Sequence, residues 1–336
     1  MQYNRLGNSG LKVSPICLGA MTFGKQTSEA VATKIVSFAR DNGINFIDTA
    51  ESYTGGASER TVGKLIKKNR ADWVLATKLG SKVMGPGPNQ RGLSRAWMTE
   101  AIEGSLKRLG TDYVDIYYLH RADPTTPLEE TLHTLGKLIQ DGKVRYWGFS
   151  NFRAWKIADI VHTSDHMGIP RPVIAQPFYN ALYRLPEMEY LPACHTFGIG
   201  AVPYSPLARG VLTGKFGLDV ASAKDTKRGK NEQETYEDVY TPASLKIAAK
   251  IKTYAEKRGM TAGEMAVNWV LNNKAVSSVV AGPRTLDHWK GYISALDHTF
   301  TAKDEAFFDK LVPACYPMHI GYHERKDPPS GRIPRT

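Results

Sequence analysis

The chain has 336 residues, 42% hydrophobic and 23% charged, an ordinary soluble composition that suits one large α/β domain or two smaller ones. No apolar run approaches the roughly 18–20 residues of a membrane-spanning helix, and the start MQYNRLGNSG is polar, so a soluble, cytoplasmic protein made without a signal peptide is expected. The net charge of +11 is spread along the whole length, densest at Lys224 to Lys230, which fits a solvated positive surface or attraction for an anionic cofactor better than nucleic-acid binding.

In chain order, two short extended pieces, Tyr3 to Leu6 and Leu11 to Val13, predict a hairpin. ICLGA then reads as a first buried strand, Glu29 to Asn42 as a helix, and INFID as strand two. Ser58 to Lys68 carries Val62, Leu65 and Ile66 at helical spacing, WVLATK is strand three, and Trp97 to Leu109 lines up Ile102, Leu106 and Leu109 on one helix face. VDIYYLH is strand four. Leu128 to Asp141 is a helix stopped by Gly142, VRYWGFS is strand five, and Arg153 to Thr163 the helix behind it. VIAQP is strand six, followed by a helix over roughly Glu187 to Thr196, IGAVPYS as strand seven, helices over 243–258 and 261–272, VSSVVAG as strand eight, and a helix from Thr285 to Leu296.

Strands alternating with helices in this way predict a single (β/α)8 TIM barrel with a core over about 15–298, preceded by the β-hairpin. The glycine fingerprint of a doubly wound dinucleotide fold is absent from any strand-to-helix junction. Two segments exceed normal loop length: Leu207 to Pro242 after strand seven, expected as a lid or pocket wall, and a tail from Val312 to Thr336 whose extreme end is expected to be mobile. Cys17, Cys194 and Cys315 are scattered, without CxxC or metal-type spacing, and are expected as buried, reduced thiols rather than disulfides or metal ligands.

Asp48, Lys78 and His120 close three successive strands, and Tyr53 follows the second; a barrel brings such residues to one rim. Each alone reads more readily as structural: a capping Asp, a core Tyr, a solvated Lys, a satisfied His. Together they form a proton-delivery set. A phenol of ordinary pKa about 10 is a poor acid at neutral pH. A neighbouring lysine ammonium stabilises its phenolate, a carboxylate keeps the lysine charged and oriented, and a histidine orients a carbonyl or relays a proton. Hydride addition to a C=O carbon with proton delivery to oxygen, or its reverse, is the reaction class that needs this set.

FIDTA with Tyr53 and the following GGASE resembles the signature of the aldo-keto reductase superfamily, and the resemblance runs from the hairpin to about residue 298. It implies Tyr53 as general acid, Lys78 as its activator, Asp48 as the lysine's partner and His120 as orienting group. It also implies NADP(H), favoured over NAD(H), held by Thr22 and Asp48 and by Ser150, Asn151 and Gln176 at the nicotinamide carboxamide. Tyr204 would stack on the nicotinamide ring, and Ser205, Leu207, Gly210 and Lys215 would follow the pyrophosphate. Gly282 and Arg284 in AGPRT would hold the 2′-phosphate, with Lys227 or Arg228 as weaker additions. Where the family usually has Gln-x-x-x-Asn for the adenine edge, this chain has His288 and Tyr292; a histidine donor and a tyrosine that stacks or faces solvent would weaken adenine discrimination.

The resemblance also reaches NADPH-binding regulatory subunits of potassium channels. That group has Ser-Arg after strand five, where this chain has Ser150-Asn151, and an extended segment ahead of the barrel, which is not expected here. A lyase using Lys78 as a Schiff base leaves Asn151, Gln176 and Arg284 without a role. Met21, Phe23, Tyr53, His120 and Arg121, with Tyr316 to Tyr322 in the tail, are the candidates for the substrate pocket, and their apolar and aromatic character suits a hydrophobic carbonyl. Arg121 either binds an acidic group or pairs with Asp123. The substrate, the favoured direction and the subunit number are not legible.

Overall fold

The computed structural model describes residues 1–80, 85, 87–218, 220 and 239–319. Lys227, Arg228, Tyr322 and the rest of the tail beyond 319 lie outside the described residues, as does the greater part of the expected lid. Packing divides the chain into two units. The first comprises Met1–Pro177, Glu189–Tyr204 and Asn273–Ile293; the second comprises the described residues of Phe178–Met188, Ser205–Asn272 and Ser294–Thr336.

The first unit begins with a two-stranded antiparallel hairpin, β1 (Asn4–Arg5) and β2 (Lys12–Val13). It continues through β3 (Ile16–Gly19), α1 (Glu29–Asp41), β4 (Phe46–Asp48), α2 (Ala57–Ile66), β5 (Val74–Leu79), α3 (Arg95–Leu109), β6 (Val114–Leu119) and α4 (Leu128–Gln140). Then come β7 (Val144–Ser150), α5 (Ala154–His166), β8 (Ile174–Gln176), α6 (Tyr190–Thr196) and β9 (Gly200–Ala201). β10 (Val279–Ala281) and α9 (Leu286–Ile293) complete it, after α7 (Pro242–Lys257) and α8 (Ala262–Leu271) of the second unit.

Eight parallel strands run in the order β10-β3-β4-β5-β6-β7-β8-β9. Parallel bridges Ala201↔Val276 and Tyr204↔Val280 join the two ends of that order, with Val280 N–H donating to Pro203 O at 2.8 Å, so the sheet closes as the (β/α)8 barrel expected. The helices pack in sequence around it, from α1 against α2 through α5 against α6, and α9 returns to α1. Cys17, Phe46, Ala76, Ile116, Tyr118, Ile174 and Val202 fill the interior, and Leu6 and Val13 of the hairpin join this core. The hairpin is tied to the segments that lead into three strands: Asn4 to Ser277 O, Asn8 N–H to Gly198 O, and Ser14 N–H to Asn45. It therefore floors the end of the barrel opposite the strand C-termini.

Strand lengths differ from the sequence reading for local reasons. INFID yields only Phe46–Asp48, because Ile44 N–H is taken by Ala39 O at the end of α1. IGAVPYS yields only Gly200–Ala201, since Pro203 has no N–H for a ladder. The helix expected from Arg153 to Thr163 begins at Ala154 and runs on to His166, and that expected from Glu187 begins at Tyr190 after a 3-10 turn over Leu185–Glu187. Cys17 and Cys194 are buried free thiols, whereas Cys315 is half-buried.

The second unit holds α7 (Pro242–Lys257), α8 (Ala262–Leu271) and α10 (Ala302–Leu311). α10 was not expected. Its start is marked by a capping box in which Thr301 and Asp304 each accept the other's main-chain N–H, and Asp304 also takes Tyr254 OH at 2.8 Å and Arg258 Nε at 3.0 Å. The chain beyond α10 is held by Arg184, which reaches Glu187, Asp309 Oδ1 and Val312 O, and by pairing of Arg184 N–H with Tyr316 O and of Met318 N–H with Leu182 O.

α2 meets the end of α3 at a glycine. A Cβ on Gly63 would lie 2.1 Å from Leu109 O and 2.5 Å from its carbonyl carbon, both main-chain atoms. Gly63→Ala is expected to destabilise the protein by roughly 1–3 kcal/mol, the range for overpacking a tight site. Urea unfolding followed by circular dichroism reads this, and an unchanged midpoint would mean that α2 can move aside freely.

Candidate active site

Lys78 is the centre of the site. Its side chain is fully buried, and the ammonium donates to Asp48 Oδ1 in a short ion pair, to Thr49 O at 2.8 Å and to Tyr53 OH at 3.4 Å. Three acceptors match the three N–H groups of an ammonium. Burial opposes the charged form, yet the Asp48 charge, the Tyr53 oxygen and their hydrogen bonds outweigh it and hold the Lys78 pKa above the ordinary 10.5. The free oxygen of Asp48 accepts Gln176 Nε2 at 3.0 Å, so one carboxylate joins β4, β5 and β8.

Tyr53 opens a 3-10 turn, Tyr53–Gly56, just past β4, its N–H bonded to Ala50 O. Its ring stands edge-on to His120, with centroids 5.7 Å apart, and 4.8 Å from Lys78 Nζ. His120 is positioned by its N–H to Leu79 O at 2.8 Å. Burial first, then the charges of Lys78 and Arg121, lower its pKa well below 6.5, so it is a neutral imidazole at neutral pH. All four residues of the proton-delivery set are thus assembled at the rim.

A second polar chain adjoins them. Ser150 Oγ donates to Gln176 O at 2.8 Å, and Asn151 Nδ2 donates to Ser150 Oγ and to His120 O, each at 3.0 Å. Asn151 Oδ1 accepts Tyr204 OH at 2.9 Å. Asn151 sits at φ +59°, a left-handed conformation that asparagine tolerates better than most residues. Gly282 follows β10 directly and is exposed, Arg284 is half-buried ahead of α9, and Thr285 Oγ1 caps α9 by accepting His288 N–H at 3.2 Å. His288 is exposed and Tyr292 half-buried.

Near strand one, Thr22 Oγ1 lies 2.8 Å from Thr27 Oγ1, Met21 is 41% exposed and Phe23 is fully buried. Asp123, the possible partner of Arg121, accepts Leu93 N–H, Thr125 N–H and the hydroxyls of Thr125 and Thr126. Ser205, Leu207, Gly210 and Lys215 belong to the second unit, where Ser205, Ala208 and Arg209 all have positive φ (60°, 45° and 59°) around a 3-10 turn, Ala208–Thr213. Left-handed non-glycine residues of this kind cost of order 1 kcal/mol or more each and cluster at ligand-holding turns.

Three contributors escaped the sequence reading. Thr49 holds Lys78 through its main-chain oxygen, which no side-chain pattern announces. Tyr118, its ring 5.5 Å from Lys78 Nζ, was legible from the alternation of VDIYYL, which turns Ile116 and Tyr118 into the barrel. Glu51, buried inside the DTAES run, carries no signal of its own in the sequence, where a glutamate just past a strand reads as a solvated turn residue.

A model of the Aldo/keto reductase family matches residues 15–313. An Arabidopsis thaliana protein named as a probable voltage-gated potassium channel subunit beta is 39% identical over 287 residues, covering 84% of this chain and 87% of that one. Its namesake in Oryza sativa subsp. japonica is 37% identical over 302 residues, 88% of this chain and 92% of that one. An uncharacterized oxidoreductase, YrpG of Bacillus subtilis, is 36% identical over 307 residues, 88% and 91% of the two chains.

Taking Asp48's charge away leaves a fully buried ammonium without its counter-ion. Asp48→Asn is expected to cost about 3–5 kcal/mol at neutral pH, the range for breaking a buried pair from one side. Because the Lys78 pKa is raised on folding, the stability linked to its charged form is present at neutral pH and is lost as pH rises through the folded value. Urea midpoints at neutral and strongly alkaline pH check both statements; an Asp48→Asn midpoint equal to wild type would overturn them.

Proposed function

The chain belongs to the aldo/keto reductase family, and on that premise we propose that it is an NADP(H)-dependent oxidoreductase interconverting an aldehyde or ketone and an alcohol. The observation that carries the proposal is the buried Asp48–Lys78 pair reaching Tyr53 OH at 3.4 Å beside a neutral His120.

The donor set suits a nicotinamide nucleotide. Ser150, Asn151 and Gln176 put a hydroxyl and two amides at adjacent strand ends, which is what a carboxamide with one acceptor and two donor hydrogens requires. Arg284 and the main-chain N–H groups opening α9 suit the 2′-phosphate. Bound NADPH would supply hydride from nicotinamide C4. As a carbonyl carbon gains hydride, Tyr53 passes its hydroxyl proton to the developing alkoxide oxygen. The Lys78 ammonium stabilises the phenolate left behind, and Asp48 keeps that ammonium charged and aimed. His120, neutral, orients the carbonyl by hydrogen bonding. Oxidation runs the same steps backwards. The apolar character of exposed Met21 favours a hydrophobic carbonyl, and free thiols agree with a cytoplasmic setting.

The names of the plant relatives favour a second reading, an NADPH-binding regulatory subunit of a potassium channel with vestigial reductase activity. Steady-state turnover separates the two: an enzyme oxidises many equivalents of NADPH with an added carbonyl, whereas a subunit with vestigial activity stops at about the one equivalent it holds.

Tyr53→Phe is expected to remove nearly all NADPH oxidation with 4-nitrobenzaldehyde or methylglyoxal, with NADPH affinity retained; full turnover in that variant would refute the acid role. Arg284→Ala is expected to weaken NADPH binding by roughly tenfold or more, as loss of a charge-assisted contact does, while leaving NADH unaffected. Fluorescence titration with the two nucleotides reads the difference, and an unchanged NADPH constant refutes the 2′-phosphate role.

A further inference from the structure

Glu51 takes no part in the proton chemistry above, yet it is only 1% exposed and lies against the catalytic lysine's strand. Its main-chain N–H donates to Lys78 O at 3.1 Å, and its Oε1 accepts Gly80 N–H at 3.0 Å. A single residue of the loop after β4 therefore grips the chain on both sides of Leu79. The charged and titratable groups around its carboxyl are Glu59 of α2, Arg108 of α3 and Tyr117 of β6. Arg108 is committed to Glu59 Oε2 and to Ser105, and Glu59 Oε1 accepts Thr77 Oγ1 at 2.6 Å, so the cluster's cation serves the other carboxylate first.

We propose that Glu51 is a positioning residue, clamping the Lys78–Gly80 main chain so that the Lys78 ammonium stays beside the Tyr53 hydroxyl. The clamp carries a proton switch. Burial, opposed by the Gly80 hydrogen bond and aided by the Glu59 charge, pushes the carboxyl up to about 7, so its proton is exchanged at neutral pH. The neutral acid's contribution to stability is present below the ordinary 4.5 and is lost as pH rises through about 7. The carboxylate formed above that point holds Gly80 N–H more strongly, since a charged acceptor makes the better hydrogen bond. The part of the claim that concerns rate rests on the reductase reading; the clamp itself does not.

The full-length, ligand-free protein tests the clamp by the Gly80 amide resonance, followed by NMR across about one and a half pH units either side of neutrality. Wild type is expected to show a sigmoid shift centred at about 7, and Glu51→Gln, whose amide oxygen still accepts Gly80 N–H, a flat profile. A flat wild-type profile, or the same midpoint in Glu51→Gln, overturns the proton switch, and a Gly80 N–H that exchanges with solvent as fast in wild type as in Glu51→Ala overturns the clamp. In turnover, Glu51→Ala is expected to lower kcat by roughly tenfold or more through misplacement of Lys78, with KM and NADPH affinity unchanged and kcat restored by Glu51→Gln. Wild-type kcat in Glu51→Ala, or no recovery in Glu51→Gln, overturns positioning. If Glu51→Ala does not fold, the Gln variant decides through its kcat–pH profile, which must lose the inflection near neutrality. Should wild type reduce no carbonyl at all, the reductase reading has failed, and the exchange and titration of Gly80 N–H alone judge the clamp and its switch.

Discussion

A fully buried lysine is among the most costly groups a barrel can contain, because an unpaired ammonium in a medium of low dielectric loses its hydration without replacement. Lys78 is tolerated because three acceptors surround it: the Asp48 carboxylate, the Thr49 carbonyl and the Tyr53 hydroxyl. Each comes from the end of β4 or the turn beyond. The requirement runs further, since Asp48's second oxygen is satisfied from Gln176, 128 residues later on β8. Residues from opposite parts of the sequence thus have to be brought to one rim before the central charge is stable, and the proton chemistry proposed for it is inseparable from closure of the ring.

The same logic organises the second polar chain. Gln176, Ser150, Asn151, His120 and Tyr204 form a continuous set of hydrogen bonds along four strand ends. Asn151 enters it only by adopting a left-handed backbone, which places its amide between the His120 carbonyl and the Tyr204 hydroxyl. That conformation is costly for the fold and useful to a site, because groups already fixed in place need no ordering when a ligand arrives. The second unit shows the same signature at Ser205, Ala208 and Arg209.

The barrel was legible because parallel strands covered on both faces read as uninterrupted apolar runs: β3, β5 and β6 are buried at every position. Boundaries were less legible. Ile44 looks like strand but is spent on the end of α1, and Val202 and Pro203 look like strand although proline breaks the ladder there. α10 could have been found from Thr301 and Asp304 at capping-box spacing ahead of Phe307, Phe308 and Leu311. The proton-delivery set was legible because each member is a titratable side chain closing an apolar run. Glu51 was not, since the role proposed for it comes from a main-chain N–H and from a carboxyl whose surroundings include Tyr117 of β6, far along the chain.

The hairpin that floors the barrel also sets an order of events. Asn4 is bonded to Ser277 O, 273 residues away, and Gly7 is packed so closely against Gly198 and Gly200 that no side chain would fit. On a ribosome, the first thirteen residues emerge long before those partners exist, and β3 waits equally long for β10. Half-barrels with open edges and an unoccupied apolar interior are then obligatory stages of synthesis, and such edges attract other chains. Any need for chaperones, and the yield when the protein is made quickly, should follow from that interval rather than from the strength of the finished fold.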